Sequence, residues 1–420
     1  MAGEVHVNCT MCHALAGDQC SLHGVEIENP AYTVCAQFRA PDEAADSPPH
    51  RLPGLADLSP DWIYEIDTTG EPTPLVQVAR RRRNRPSTGK LPPASDLRAA
   101  QPERGQTDLV DRFRGALLGL AAGEALGFPA EGRSPQDIEM IYGGPLAGMT
   151  ARIGRRHTWP VGQGAKDTQL VQLVGQSLLE AHGALDADDL AERLVRWLPA
   201  ALKPGKSTIA AIESLAEGHH WCVSGVDSNG AGGTTRVVPL ALLRHRQLGR
   251  LRQEAVLQCL LTHTGAKSLA GTVLFATAIA SLVETPPGRL HRAAWMSLLE
   301  RAIRGIDLEA SARLHEVTLA LDDGQAPHAV LGRFKTGGFV LECLPSALYC
   351  FLRWPQDPVR AVLTAVNAGF DACATGAMTG ALAGAYLGLS GLPEAWSRAL
   401  PVTDPLLRLA DQLHALAEET

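Results

Sequence analysis

The chain has 420 residues, 45% of them hydrophobic, enough for a sizeable core in two or three domains, or in one large domain with an added module. A formal net charge of −7 with no extended basic face excludes nucleic acid as the default partner. Aromatics are only 5% while Ala, Leu and Gly dominate, which favours close-packed helices over sheets.

The N-terminal stretch MAGEVHVNCTMCHALAG lacks the charged-then-apolar order of a signal peptide, so a cytoplasmic protein is expected. No membrane partner is expected either. GAMTGALAGAYLGLSGLP comes nearest to a transmembrane run, but it is rich in small residues, ends at Pro393, and reads as a buried helix. Nine cysteines in such a compartment imply thiols or metal ligands. Residues 1–40 form the first predicted unit. Cys9, Cys12, Cys20 and Cys35 are spaced C-x2-C-x7-C-x14-C, which suits a closed tetrahedral zinc site of the ribbon or knuckle type. So short a segment cannot fold on apolar burial alone, and bound Zn²⁺ would supply the folding energy. His13 and His23 are alternative ligands, and four free thiols or an iron–sulfur cluster are the competing readings. The expected role is docking, onto a protein partner or over the cleft of the main domain.

Residues 41–106 are rich in Pro, Asp and Arg and predict an extended linker. Within it, PDWIYEIDTTGEPTPLVQVAR predicts a short strand pair, and the run Arg80–Arg83 reads as a solvated charge cluster, with contact to nucleic acid or acidic lipid as the alternative. Residues 107–420 predict one all-α domain. DLVDRFRGALLGLAAGEALG opens on an Asp cap and repeats apolar residues at helical spacing. KDTQLVQLVGQSLLEAHG, DADDLAERLVRWLPAAL, PLALLRHRQ, RQEAVLQCLLTH, AKSLAGTVLFATAIASLVE, GGFVLECLPSALYCFLRW and DPVRAVLTAVNAG follow the same rule. The Gly and Ala on these segments let helix backbones approach closely.

FRGALLGLAAGEALGFPAEG, SNGAGGTTRVVPLAL, LTHTGAKSLAGTVLFATAIA, FKTGGFVLECLPSALYCFL and AVLTAVNAGFDACATGAMTGALAGAYLGLSGLPEAW resemble, in order, successive segments of the ADP-ribosylglycohydrolase family. The resemblance implies an orthogonal multi-helix bundle over roughly residues 108–415. It also implies cleavage of the N- or O-glycosidic bond between ADP-ribose and a side chain, with two Mg²⁺ ions as the family cofactor. Such a bond breaks through an oxocarbenium-like transition state that nearby carboxylates stabilise. Paired Mg²⁺ ions need oxygen ligands, and they activate water.

Carried over residue by residue, the family pattern is only partly kept. The Glu after the first helix matches Glu131, a candidate acid/base. The Thr-Asp-Asp triplet falls on Ala165, Lys166 and Asp167, and the Asp-x-Asp-Thr on Asp371, Ala372, Cys373 and Ala374. Asp167 and Asp371 are therefore read as remnants of the magnesium site. The first-helix signature Gly-Asp-Ala-Leu-Gly reads GEALG here, with Glu124. Three carboxylates remain and one ammonium is added, and a cation among them repels a divalent ion. Lys166 is expected either to sit where a metal would be, neutralising Asp167, Asp371 or Glu131, or to point to solvent. Cys373 reads as a small core residue, with a soft-metal or nucleophilic role as the alternative. Substrate-holding positions are better kept: Ser228, Asn229 and Gly230 match the family's diphosphate loop, Arg236 its following Arg, and Thr262-His263 a family pair. Together with Lys166, the residues Ser228, Asn229, Gly230 and His263 are the candidate ligand contacts.

Three functions follow. The first is a protein that binds ADP-ribose or an ADP-ribosylated target with lost or reduced hydrolysis. The second is an active hydrolase using Glu131. The third is a non-catalytic scaffold that binds partners through its cysteine module.

Overall fold

The computed structural model describes residues 109–419 in full and, before them, the backbone of five short strands. Leu15–Ala16, Gln19–Cys20 and Val25–Glu26 pair antiparallel, with Cys20 opposite both Leu15 and Val25. Within the unit Pro53–Thr107, Tyr64–Ile66 pairs antiparallel with Pro72–Pro74, which is the strand pair expected there. The side chains of Cys9, Cys12, Cys20 and Cys35, and the zinc expectation with them, lie outside the described residues, as do Arg80–Arg83 and the Asp108 cap.

Residues 109–419 are helical apart from one small hairpin, Arg152–Ile153 paired with Thr158–Trp159. At the centre, the helix Leu109–Gly127 lies antiparallel to the helix Ala372–Leu387. Glycines recur every fourth residue on both, at Gly115, Gly119, Gly123 and Gly127 on one and at Gly376, Gly380 and Gly384 on the other. A Cβ on Gly119 would lie 2.2 Å from the Gly380 carbonyl oxygen, and one on Gly380 would lie 2.0 Å from that of Gly119. Ordinary helix pairs keep their axes about 8–10 Å apart because side chains stand between them. Here backbone meets backbone, so glycine is required at the crossing.

Every residue of Ala372–Leu387 is buried, as befits a helix that is apolar all round. Around this pair pack Ala266–Val283, Val340–Arg353 and Pro358–Asn367 on one side, and Lys166–Glu180 and Thr403–Glu419 on the other. Ala266–Val283, not the glycine-rich segment, is the helix among the described residues long and apolar enough to cross a membrane, and 78% of it is buried in the body. Helices that periodicity did not single out, such as Pro135–Tyr142, start on local caps: Ser134 and Asp137 form a reciprocal capping box.

Candidate active site

Two helix N-termini meet at one end of the glycine-packed pair, and neither is capped by its own preceding residue. Lys166–Glu180 follows Ala165, which has no side-chain acceptor, and the Asp371 side chain does not cap Ala372–Leu387. Each receives a carboxylate from elsewhere. Glu124, fully buried on the first helix, accepts from the Asp167 amide at 2.6 Å, the Thr168 amide at 3.0 Å and the Thr168 hydroxyl at 2.6 Å. Glu131, just past the first helix, accepts from the Cys373 amide at 2.9 Å. Both contacts place carboxyl oxygens at the positive end of a helix dipole. The close approach of Gly127 to Ala372 brings Glu131 within reach.

Between them stands Lys166. Its ammonium lies 3.3 Å from Asp167 Oδ2, with the two side chains 12% and 1% exposed. The other Asp167 oxygen accepts from the Thr235 hydroxyl at 2.6 Å. Burial opposes the lysine's charge, but Asp167, Asp371 and Glu131 outweigh burial and hold the ammonium well above its ordinary pKa. Burial, and then the charge of Asp167, push the Glu124 carboxyl up to about 7, with the Thr168 hydroxyl and Lys166 opposing. Asp371 rises to about 6 through burial, with Lys166 pulling it down and Glu131 and Asp167 pushing it up. Asp371 is held in place by its amide, which donates to Thr336 O at 2.7 Å. Cys373 is buried, and burial followed by the Glu131 charge raises its thiol well above the ordinary range. A thiol held protonated is a poor nucleophile, which favours the core reading of Cys373.

Next to this cluster runs the loop of Ser228, Asn229 and Gly230. The Ser228 hydroxyl receives the Ser207 hydroxyl at 2.8 Å and the Gly230 amide at 3.3 Å. Asn229 Oδ1 accepts from the Lys267 amide at 3.1 Å, capping the helix Ala266–Val283 from outside. The Asn229 carbonyl accepts from Val340 N at 2.9 Å, so the loop ties two core helices together. Arg236 is wholly buried, donating to the Gln258 side chain and carbonyl and to Thr262 Oγ1 at 2.7, 2.6 and 2.9 Å. Its guanidinium ties the segment to Gln258 and Thr262, while its Nη1 is buried with no hydrogen-bond partner.

Thr262 Oγ1 also lies 2.8 Å from His263 Nδ1. The Thr262 hydroxyl thus links the Arg236 guanidinium to the His263 ring, whose tautomer decides which of the two donates. Nε2 is directed at the loop: a Cβ on Gly230 would lie 3.3 Å from it and one on Gly232 3.2 Å. Burial, then Arg236 and Lys166, lower the His263 pKa to about 3, so the ring is neutral.

The fold thus gathers Lys166, Asp167, Asp371 and Glu131, with Ser228, Asn229, Gly230 and His263 on the adjoining loop. Sequence reasoning placed neither Glu124 nor Thr235 in the site. The departure from Asp to Glu in GEALG was the available signal for Glu124, since the longer arm reaches the first amides of Lys166–Glu180. Nothing local marks Thr235, which arrives through tertiary packing.

A family model described as ADP-ribosylglycohydrolase matches residues 105–420. An uncharacterized protein of Archaeoglobus fulgidus is 31% identical over 314 residues, 73% of this chain and 97% of that protein. The ADP-ribosylarginine hydrolase Tri1 of Serratia proteamaculans is 26% identical over 75% of this chain and 82% of its own length. ADP-ribosylhydrolase ARH3 of Gallus gallus is 26% identical over 73% and 93% respectively. A solved ADP-ribosylglycohydrolase-related protein complex superposes with a TM-score of 0.58 at 28% identity, over 74% of this chain and 99% of that one.

Proposed function

The chain belongs to the ADP-ribosylglycohydrolase family, and from that premise we propose that it binds ADP-ribose, free or on a modified protein, in a pocket where the Lys166 ammonium stands in for the divalent cations. The observation that carries this reading is the buried ion pair of Lys166 with Asp167, in the field of Asp371 and Glu131. The family cofactor is Mg²⁺. Mg²⁺ demands a near-octahedral set of oxygens. Here both Asp167 oxygens are engaged, by Thr235 and Lys166, and one Glu131 oxygen holds the Cys373 amide. Ala165, Ala372 and Ala374 offer no side-chain oxygen, and no group of three or more His, Cys, Asp or Glu among the described residues is arranged to hold a metal. These residues do not fit two magnesium ions.

Neutral His263, with its Nε2 beside the Gly230–Gly232 turn, supports a polar ligand contact at that loop. Calorimetric titration with ADP-ribose is the test. Equal affinity in EDTA and in Mg²⁺ is expected; binding that appears only with Mg²⁺ would overturn the reading. A second reading, hydrolysis with Glu131 as acid/base, is favoured by the hydrolase names of the relatives and by the retained carboxylate. Turnover of an ADP-ribosylated arginine or serine peptide that disappears in Glu131→Ala would select it. For the N-terminal segment, the spacing of Cys9, Cys12, Cys20 and Cys35 supports a structural Zn²⁺ site and docking to a protein partner. Loss of folded signal from that segment on chelation would be the corresponding check.

A further inference from the structure

A second charged cluster borders Glu131 and is built from segments separate from the Ser228 loop. The Arg152 guanidinium lies 5.0 Å from the centroid of the Phe128 ring and 5.9 Å from that of Trp159, and the Lys203 ammonium lies 5.4 Å from the same Phe128 centroid. Arg133 stands behind them, its guanidinium committed to Pro129 O, Tyr142 Oη and Ile153 O. Among the described residues no carboxylate comes within ion-pair distance of any of the three. Arg152 donates to Phe128 O, but its Nε is buried with no partner. Lys203 is held at φ +55°, a left-handed conformation a lysine adopts at a cost and keeps only when its surroundings impose it.

The cluster is unfavourable as it stands. Burial and then Arg133 lower the pKa of Arg152, and burial and then Arg152 lower that of Lys203. Glu131 is the acid whose field reaches both. Cations crowded over one ring, with donors left open, are stabilised by an anion that accepts from them.

We propose that Arg152 and Lys203, over the Phe128 ring, form an anion subsite for a phosphate carried on the anomeric carbon of the ligand's terminal ribose. The proposal rests on the ADP-ribose reading above, because it takes Glu131 to mark the anomeric carbon. The group linked to that carbon then lies beside the cations, which welcome a phosphate and repel a guanidinium. The protein would therefore select ADP-ribose joined to an anionic acceptor over ADP-ribosylated arginine.

The test is calorimetry on the full chain with ADP-ribose, ADP-ribose 1″-phosphate and inorganic phosphate, on wild type, Lys203→Gln and Arg152→Gln/Lys203→Gln. The 1″-phosphate is expected to bind about tenfold tighter than ADP-ribose, the margin of one charge-assisted contact, and the advantage should vanish in the double variant. Lys203 is the more solvent-exposed of the two, so its single variant carries the test if Arg152→Gln disturbs the packing on Phe128. ADP-ribose binding with no gain from the phosphate would refute the subsite and leave the pocket standing. Inorganic phosphate bound through Arg152 and Lys203, with no nucleotide binding, would uphold the subsite and refute the ADP-ribose reading. No binding of any of the three would refute both.

Discussion

Replacing Lys166 by Met keeps the length of the stem and removes the charge. The ammonium is 3.3 Å from Asp167 Oδ2 and both side chains are largely buried. At an effective dielectric of about 20, that separation corresponds to an attraction of about 5 kcal/mol, part of which offsets the desolvation of the lysine itself. Removing one partner of a buried pair costs roughly 3–5 kcal/mol, because the other charge is left uncompensated. Asp167 keeps its bond from Thr235 in the variant, so the lower end, about 3 kcal/mol, is expected at neutral pH. The wild-type lysine has its folded-state pKa raised above 10.5, so its contribution is fully present below that pH and is lost only as pH rises through the folded-state value. Asp371, at about 6 in the folded protein, takes up a proton as the medium is acidified, which relieves repulsion among acids the lysine no longer balances. The gap between variant and wild type should therefore narrow toward pH 5. Urea denaturation followed by far-UV circular dichroism at several pH values measures both effects. A loss below about 1 kcal/mol, or one that does not change with pH, would refute the view that the ammonium holds this cluster together.

Gly380→Ala should destabilise the protein by at least about 3 kcal/mol, beyond ordinary overpacking, because its Cβ meets the Gly119 carbonyl oxygen at 2.0 Å; a thermal melt within a degree of wild type would contradict the backbone-to-backbone contact. Glu124 has its folded-state pKa raised from 4.5 to about 7, so its protonated form stabilises the fold at low pH and that stability is lost as pH rises through 7. Glu124→Gln should lose about 1–2 kcal/mol at pH 5, since an NH₂ now faces an amide donor, yet show a flatter decline in urea midpoint from pH 5 to 7.5. Phe370, half exposed at φ +56°, sits in a left-handed conformation, so Phe370→Gly should be neutral or stabilising by up to about 1 kcal/mol while Phe370→Ala is not; equal chemical-denaturation midpoints for the two variants would count against backbone strain at this position.

Much of this protein was legible before any coordinate. The helical periodicity of 107–420 and the start of a helix at Lys166 are local patterns, and local patterns survive in a single sequence. The strand pair in 60–80 was legible for the same reason. The order of the family-like segments also pointed to the carboxylates Glu131, Asp167 and Asp371. What no local pattern carries is which distant groups satisfy which. Glu124 caps a helix 43 residues on, and Glu131 bonds an amide 242 residues on. Arg236 finds its partners in Gln258 and Thr262, 22 and 26 residues on. Arg152 and Lys203, unremarkable in the sequence, come to share one aromatic ring.

By itself, then, the sequence determined the helical class and the charge inversion at Lys166. Only the tertiary structure decided where that charge goes. Two helices packed at backbone contact bring Glu124, Glu131 and two helix N-termini to one place, and there the ammonium pairs with its neighbour Asp167 in the field of Asp371 and Glu131, acids the sequence keeps far apart.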